Sequence, residues 1–180
     1  MVPEAPMEQR TGGLKPAGEG WFVVNARDAE WMYNDKFGAG VTFEGTPYFE
    51  HYGINIQVVW PGQPNGYYHA EKDQESFLIL AGECMLLVEG EERRLRAWDF
   101  VHFPPGTEHI VVGTGDGPCT FLAVGARNTL DGIVYPVSEL ALRYEAGVAT
   151  ETTKPDEAYA GTPETAPGPY REGLGGATDG

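Results

Sequence analysis

Cysteine, positive charge and long apolar runs are what this sequence has least of. Two cysteines in 180 residues cannot build the disulfide framework of a small secreted scaffold. Cys84 and Cys119 each sit inside an apolar run, the setting of buried free thiols, with a disulfide or a thiolate ligand as the alternatives. Lysine and arginine number 12 against 27 acidic residues, for a net charge of −15. Duplex binding draws on basic contacts to phosphate, so no nucleic-acid partner is expected. No apolar run approaches the roughly eighteen residues that span a bilayer, so no membrane partner is expected either. The N-terminus shows no apolar signal-peptide core, which makes a cytoplasmic location the expectation. Internal repeats are absent as well.

What the sequence does have is 25 glycines, 14 prolines and 12% aromatic residues, a mixture that favours short strands and tight turns over long helices. Its length suits one domain with a core of its own. Residues 1–20 are rich in Pro, Gly and Glu and predict a flexible N-terminal arm. Within residues 21–127, Trp21–Val24 suits a strand, Asp28–Met32 one helical turn, and Gly38–Phe43 an extended segment, with a turn at Thr46-Pro47. His51 has no acidic neighbour at ligand spacing and reads as a surface histidine.

From Ile54 the pattern strengthens. Ile54, Ile56, Val58 and Trp60 alternate with Asn55, Gln57 and Val59, the period of a strand with one buried face. Turn signals at Pro61-Gly62, Asn65-Gly66, Gly82, Gly90 and Pro104-Pro105-Gly106 divide the rest into short strands ending near Val124. No convincing helix interrupts them, so the expected class is all-β, an antiparallel sandwich or barrel. Residues 128–180 form a C-terminal extension. Val137–Tyr144 is its helix, with Ser138 placed to cap it, and Asp156–Tyr159 offers one further turn. Beyond Gly161 the chain is a Gly/Pro-rich tail, lying over the barrel or over a neighbouring subunit.

The stretch Tyr67–Gly113 holds three of the four histidines, His69, His102 and His109, with Glu71 and Glu75 close behind His69. Imidazole and carboxylate are the side chains that bind borderline and hard divalent metals. This stretch resembles the cupins, small jelly-roll β-barrels that carry two short motifs. The first has a leading glycine, a histidine pair, a glutamate and a second glycine, and neither Gly62 nor Gly66 stands at the spacing of the leading one. Here His69, Glu75 and Gly82 stand at its spacing, with Glu71 where the second histidine is expected. The second has a glycine, P-x-G, a histidine and an asparagine. Here Pro104, Gly106 and His109 match, while Trp98 replaces the glycine and Gly113 the asparagine. The resemblance implies a jelly-roll barrel, the double-stranded β-helix, and one divalent metal per chain held by His69, Glu71, Glu75 and His109.

Glu71 leaves three readings open. Two histidines and two carboxylates would make a hard, near-neutral site that favours Fe or Mn, with Zn or Ni as further candidates. With Glu71 standing back, His69, Glu75 and His109 form the two-histidine, one-carboxylate set suited to non-haem Fe(II). In the third reading no metal binds, and these groups line a ligand pocket. Glu71 and His102 are the candidate catalytic acid–base groups, and Tyr67, Gln57, Trp60, Phe77 and Phe121 the candidate substrate pocket. The expected function is a metal-dependent oxidoreductase, dioxygenase-like, acting on a small organic molecule. Beside it stand a small-molecule-binding or sensing protein without turnover and a metal-dependent sugar isomerase or epimerase. Barrels of this kind are often paired, so a homodimer is expected, with Trp21 and the tail as interface candidates.

Overall fold

Short alternating segments broken by glycine and proline give fourteen strands and two short helices in the computed structural model, which describes residues 1–46, 48–128 and 132–175. Pro47 of the expected turn and residues 176–180 of the tail lie outside the described residues. The first two strands, β1 (Met7–Arg10) and β2 (Gly13–Pro16), pair antiparallel. Residues 1–20, expected as a flexible arm, therefore carry a hairpin. Its sequence has no apolar alternation to announce it. Docking holds it: Ala5 is buried, Glu4 bridges to Trp21, and Leu14 bridges to Ala29.

The helical turn expected over Asp28–Met32 is replaced by β3 (Trp31–Asn34). Trp31 is 2% exposed in a cluster with Val41 and Val58, and its Nε1–H donates to Ala26 O at 2.8 Å. Burying so large a side chain gives about 2–3 kcal/mol, against a few tenths per residue from helix propensity. Burial wins, and the segment extends.

β4 (Gly38–Thr42) and β5 (Tyr52–Val59) continue the sheet. After the two-residue β6 (Ala70–Glu71) come β7 (Glu75–Ala81), β8 (Glu83–Val88), β9 (Glu91–Arg96), β10 (Phe100–Phe103), β11 (His109–Thr114) and β12 (Cys119–Ala126). The hairpin expected around Glu89-Gly90 is β8–β9. Gly82, at φ 75, turns β7 into β8, and a Cβ there would collide with the Pro118 carbonyl. β13 (Ile133–Val134) pairs with β6. The expected helix is α1 (Glu139–Arg143), with Ser138 Oγ accepting from Ala141 N–H at 3.2 Å. α2 (Pro155–Ala158) and β14 (Ala166–Gly168) complete the order.

Two sheets face each other. One has the order β10-β7-β12-β5-β4-β3-β14, the other β11-β8-β9. Between them lies the core of Val59, Phe77, Ile79, Cys84, Leu86, Phe103, Val111, Cys119, Phe121 and Ala123. The all-β jelly-roll expectation is met, and both thiols are buried and unbonded to each other as disulfide. Outside the smaller sheet, Leu140 and Ala141 of α1 pack on Tyr68, Leu87 and Ile110. Outside the larger one, the tail returns over its own barrel. β14 pairs with β3, Leu174 is 2% exposed, and Thr120 Oγ1 donates to the Leu174 carbonyl. Among the described residues no helix is long and apolar enough to cross a membrane.

Candidate metal centre

Strand register decides which side chains reach the barrel interior. Glu75 opens β7 and faces inward with Phe77 and Ile79, since Phe77 and Ile79 are opposite Ala123 and Phe121 of the core. On the facing sheet, His109 begins β11 with the parity of Val111, another core residue. His69 forms a bridge with His109 immediately before β6. Three chain segments thus deliver His69, Glu75 and His109 to one end of the interior. One donor atom from each lies within 4.8 Å of the others, close enough to share a single ion.

The hydrogen bonds fix which nitrogens are available. His69 Nδ1 is 2.7 Å from Tyr67 O, and His109 Nδ1 is 3.0 Å from Thr107 O. A carbonyl only accepts, so each Nδ1 carries the hydrogen and each Nε2 keeps its lone pair when the ring is neutral. Burial, and then the neighbouring His109, push the His69 imidazolium down to about 4, so His69 is neutral at ordinary pH. His109 Nε2 stands 3.1 Å from Glu75 Oε2. Two lone-pair atoms at that distance repel unless a proton or a cation lies between them. The donor set fits a divalent ion: two neutral imidazoles through Nε2, one carboxylate, and ring orientations held by backbone carbonyls. Phe103 stacks on the His109 ring at 3.8 Å and 8°, and Phe77 meets its edge at 5.7 Å.

Glu71 stands just beyond the three, its Oε1 3.8 Å from His69 Nε2 and its side chain 36% exposed. Burial first, then the Glu75 charge, raise its carboxyl above the usual range. It also borders two open clefts. One, of about 500 Å³, is lined by Tyr48, Asp73, Arg127 and Ile133; the other, of about 670 Å³, by Gly106, Glu108, Val134 and Thr153. Glu71 is in the lining of both, and His69 and His109 are in the lining of neither.

The remaining candidates are scattered. Phe77 and Phe121 are core residues in ring contact at 5.1 Å. Gln57 shares the inner face with Phe121, its register partner; both lie about 13 Å along the strands from the level of Glu75. Tyr67 is packed with Phe37, Tyr135 and Tyr159, its hydroxyl 3.1 Å from Lys36 Nζ, and it serves the site through its carbonyl. Trp60 belongs to the cluster of Trp31, Val41 and Val58 on the outer side of the larger sheet, so it does not line the interior. His102 is also outside. Strand alternation puts it opposite in direction to Phe103, exposed, with Nδ1 3.0 Å from Ser76 Oγ. His51 is exposed, as expected.

Sequence reasoning missed three contributors. Phe103 alternates with His102 on β10, and the sequence left open which of the two faced inward. Tyr135, with its ring 5.9 Å from His69, and Tyr159, whose hydroxyl accepts from Tyr67 N–H at 3.2 Å, come from the extension and carry no local signal.

Residues 55–125 match a family model described as a cupin domain. Among curated proteins nothing matches. Among solved structures the chain is similar to a cupin 2 conserved barrel domain protein from Salinispora arenicola, at 27% identity and a TM-score of 0.45, over 49% of this chain and 75% of that one. It is also similar to the polyketide cyclase RemF from Streptomyces resistomycificus, at 19% identity and 0.44, over 49% and 63%. A third likeness is to the DMSP lyase DddQ from Ruegeria pomeroyi, at 23% identity and 0.44, over 52% and 49%. The chain spans less than two thirds of the length of the cyclase and of the lyase.

Proposed function

With residues 55–125 a cupin domain, the chain is a small cupin-superfamily protein, and from that premise we propose that it is a metal-dependent enzyme, a dioxygenase-like oxidoreductase of a small organic molecule. The observation that carries the reading is the convergence of His69, Glu75 and His109 within 4.8 Å. Of the three arrangements the sequence allowed, this geometry favours the three-ligand set, with Glu71 beside it. Such a set leaves coordination positions open and suits Fe(II), with Mn next and Zn or Ni behind. Bound there, the metal would supply a Lewis acid and, as iron, a one-electron partner for oxygen.

The protein's own groups do the rest. His69 and His109 present Nε2 because Tyr67 and Thr107 carbonyls hold Nδ1–H. Phe77 and Phe103 wall the inner side and exclude water from it. Glu71, with its raised affinity for a proton and its place in the lining of both clefts, holds or hands over a proton at Oε1. His102 is left out because it faces the opposite side of its strand. The proposal includes a cytoplasmic location and a homodimeric assembly.

Metal analysis of protein purified without chelators or nickel resin tests the reading. About one equivalent of iron or manganese per chain is expected, and less than about a tenth overturns it. The raised Glu71 carboxyl favours a second reading, metal-assisted proton transfer of the isomerase or epimerase kind. Turnover that persists under argon would select it over the oxidoreductase.

A further inference from the structure

The family's second motif has glycine where this chain has Trp98, and the structure shows what that exchange does. Trp98 holds a φ of 75, a conformation that residues with a Cβ rarely adopt. Its side chain is 78% exposed, and Phe100, two residues on, is 66% exposed. Strain and a solvated indole both disfavour this arrangement in an isolated chain.

The surroundings give it a use. On the outer side of the larger sheet, the half over β5, β4 and β3 is covered by the chain's own ends, with Val24, Ala29, Tyr170 and Leu174 packed on Val41 and Val58. The other half continues as the rows Phe100–Leu78–Leu122 and His102–Ser76–Val124, and none of these six is buried. Neither row contains a carboxylate, in a chain with a net charge of −15. Asp99, between Trp98 and Phe100, turns back to accept from Arg96 N–H at 2.9 Å.

β10 is the end strand of its sheet. Ile79 exchanges hydrogen bonds with Trp98 and Asp99, so ladder alternation aims Val101 and Phe103 at β7 and leaves the backbone groups of Phe100 and His102 on the open edge. Edge strands are ordinarily protected by charge or proline. Between Asp99 and Pro104 this one carries no carboxylate, lysine or arginine, and Trp98 and Phe100 stand exposed at its start.

We infer that Trp98, Phe100 and the β10 edge are the surface on which a second copy of this chain docks about a two-fold axis. An isologous contact sets each residue near its own copy or its neighbours' copies. For an acidic chain, self-association is least opposed where carboxylates are missing, and this half-face is such a place. A basic partner would gain nothing here and would be drawn to the acidic faces. The inference rests on the homodimer part of the proposal above and is independent of the metal.

Sedimentation of the full chain across about 1–100 μM tests both, in the range where weak and strong dimers separate. Trp98→Gly removes the indole and puts at φ 75 the residue that suits it, so folding is not endangered. Phe100→Thr keeps a strand-forming residue on the edge. The wild-type protein is expected to be dimeric, each variant to weaken dimerisation on the order of a hundred-fold, and amide exchange at Phe100 and His102 to quicken. A wild-type monomer at every concentration overturns the homodimer and this surface together. A wild-type dimer whose affinity both variants leave within about threefold keeps the homodimer and overturns the surface.

Discussion

The barrel interior has two ends that share the same strands and differ in chemistry. Along β7 the inward side chains run Glu75, Phe77, Ile79; along β11 they run His109 and Val111. One end is polar and borders two clefts through Glu71. The other is filled by Phe121, Ile79, Leu86, Val59 and two thiols, where the Cys119 contact, and then burial, push the Cys84 thiol far above its ordinary range. The apolar end gains free energy with every side chain it buries. At the polar end burial depresses His69 and raises Glu71, so its groups lose solvation without a full return. The polar end is held in place by the apolar one, and Phe77, touching both Phe121 and His109, is the residue that joins them.

The largest effect should follow from breaking the apolar end. Phe121→Ala empties a site that is fully buried, and a deletion of this size costs about 3–5 kcal/mol. The urea midpoint should fall accordingly. Because Phe121 lies about 13 Å along the strands from Glu75, metal stoichiometry of the protein that remains folded should not change. A variant that keeps its stability would show that the core does not carry the site.

A second comparison of the ends uses acid. The metal-free folded chain keeps His69 neutral down to about 4, whereas the unfolded chain takes up that proton near pH 6.5. Between these values the unfolded state binds more protons, so stability is complete above about pH 6.5 and falls as the pH drops toward 4. The interval of roughly 2.5 units corresponds to about 3 kcal/mol. Glu71 works in the opposite direction, since its raised carboxyl binds a proton earlier when folded. His69→Gln should therefore flatten or reverse the acid slope of the urea midpoint between pH 6.5 and 4. An unchanged slope would mean that His69 does not titrate as a buried neutral imidazole.

How much of this was legible in the sequence depended on whether a residue's partner lay nearby in the chain. The β8–β9 hairpin and the Ser138 cap are local, and each could be read directly; His69, Glu75 and His109 span 40 positions and were legible through the spacing of the motifs they resemble. The face of β5 could not be read. Ile54, Ile56 and Val58 form the more apolar row and look like the core, yet the interior row is Asn55, Gln57 and Val59. The apolar row packs outward because segments near both chain ends return to cover part of it, and covering residues such as Tyr170 and Leu174, more than a hundred positions away, leave no local mark. His102 illustrates the same gap. Its parity was clear, but which parity faced inward was settled only by Phe103 meeting His109.

The smallest expected effect isolates what the extension adds to the polar end. Tyr159, which ends α2, accepts the Tyr67 N–H at 3.2 Å, and the carbonyl of that same residue holds His69 Nδ1–H. Removing one hydroxyl by Tyr159→Phe keeps the ring contacts with Phe37, Tyr67 and Tyr135. The hydroxyl also meets that of Tyr135, so two hydrogen bonds are lost and stability should fall by about 2 kcal/mol. Freed peptide motion at Tyr67 should loosen the His69 ring and weaken metal affinity about tenfold, as for other groups that orient a ligand. Competition against a chromogenic chelator measures the affinity, and urea unfolding of the metal-free protein measures the stability. Because Phe121→Ala is expected to change stability alone, a Tyr159→Phe protein that does the same would place Tyr159 with the apolar end. A loss of affinity beyond what its stability explains would tie the C-terminal extension to the metal centre.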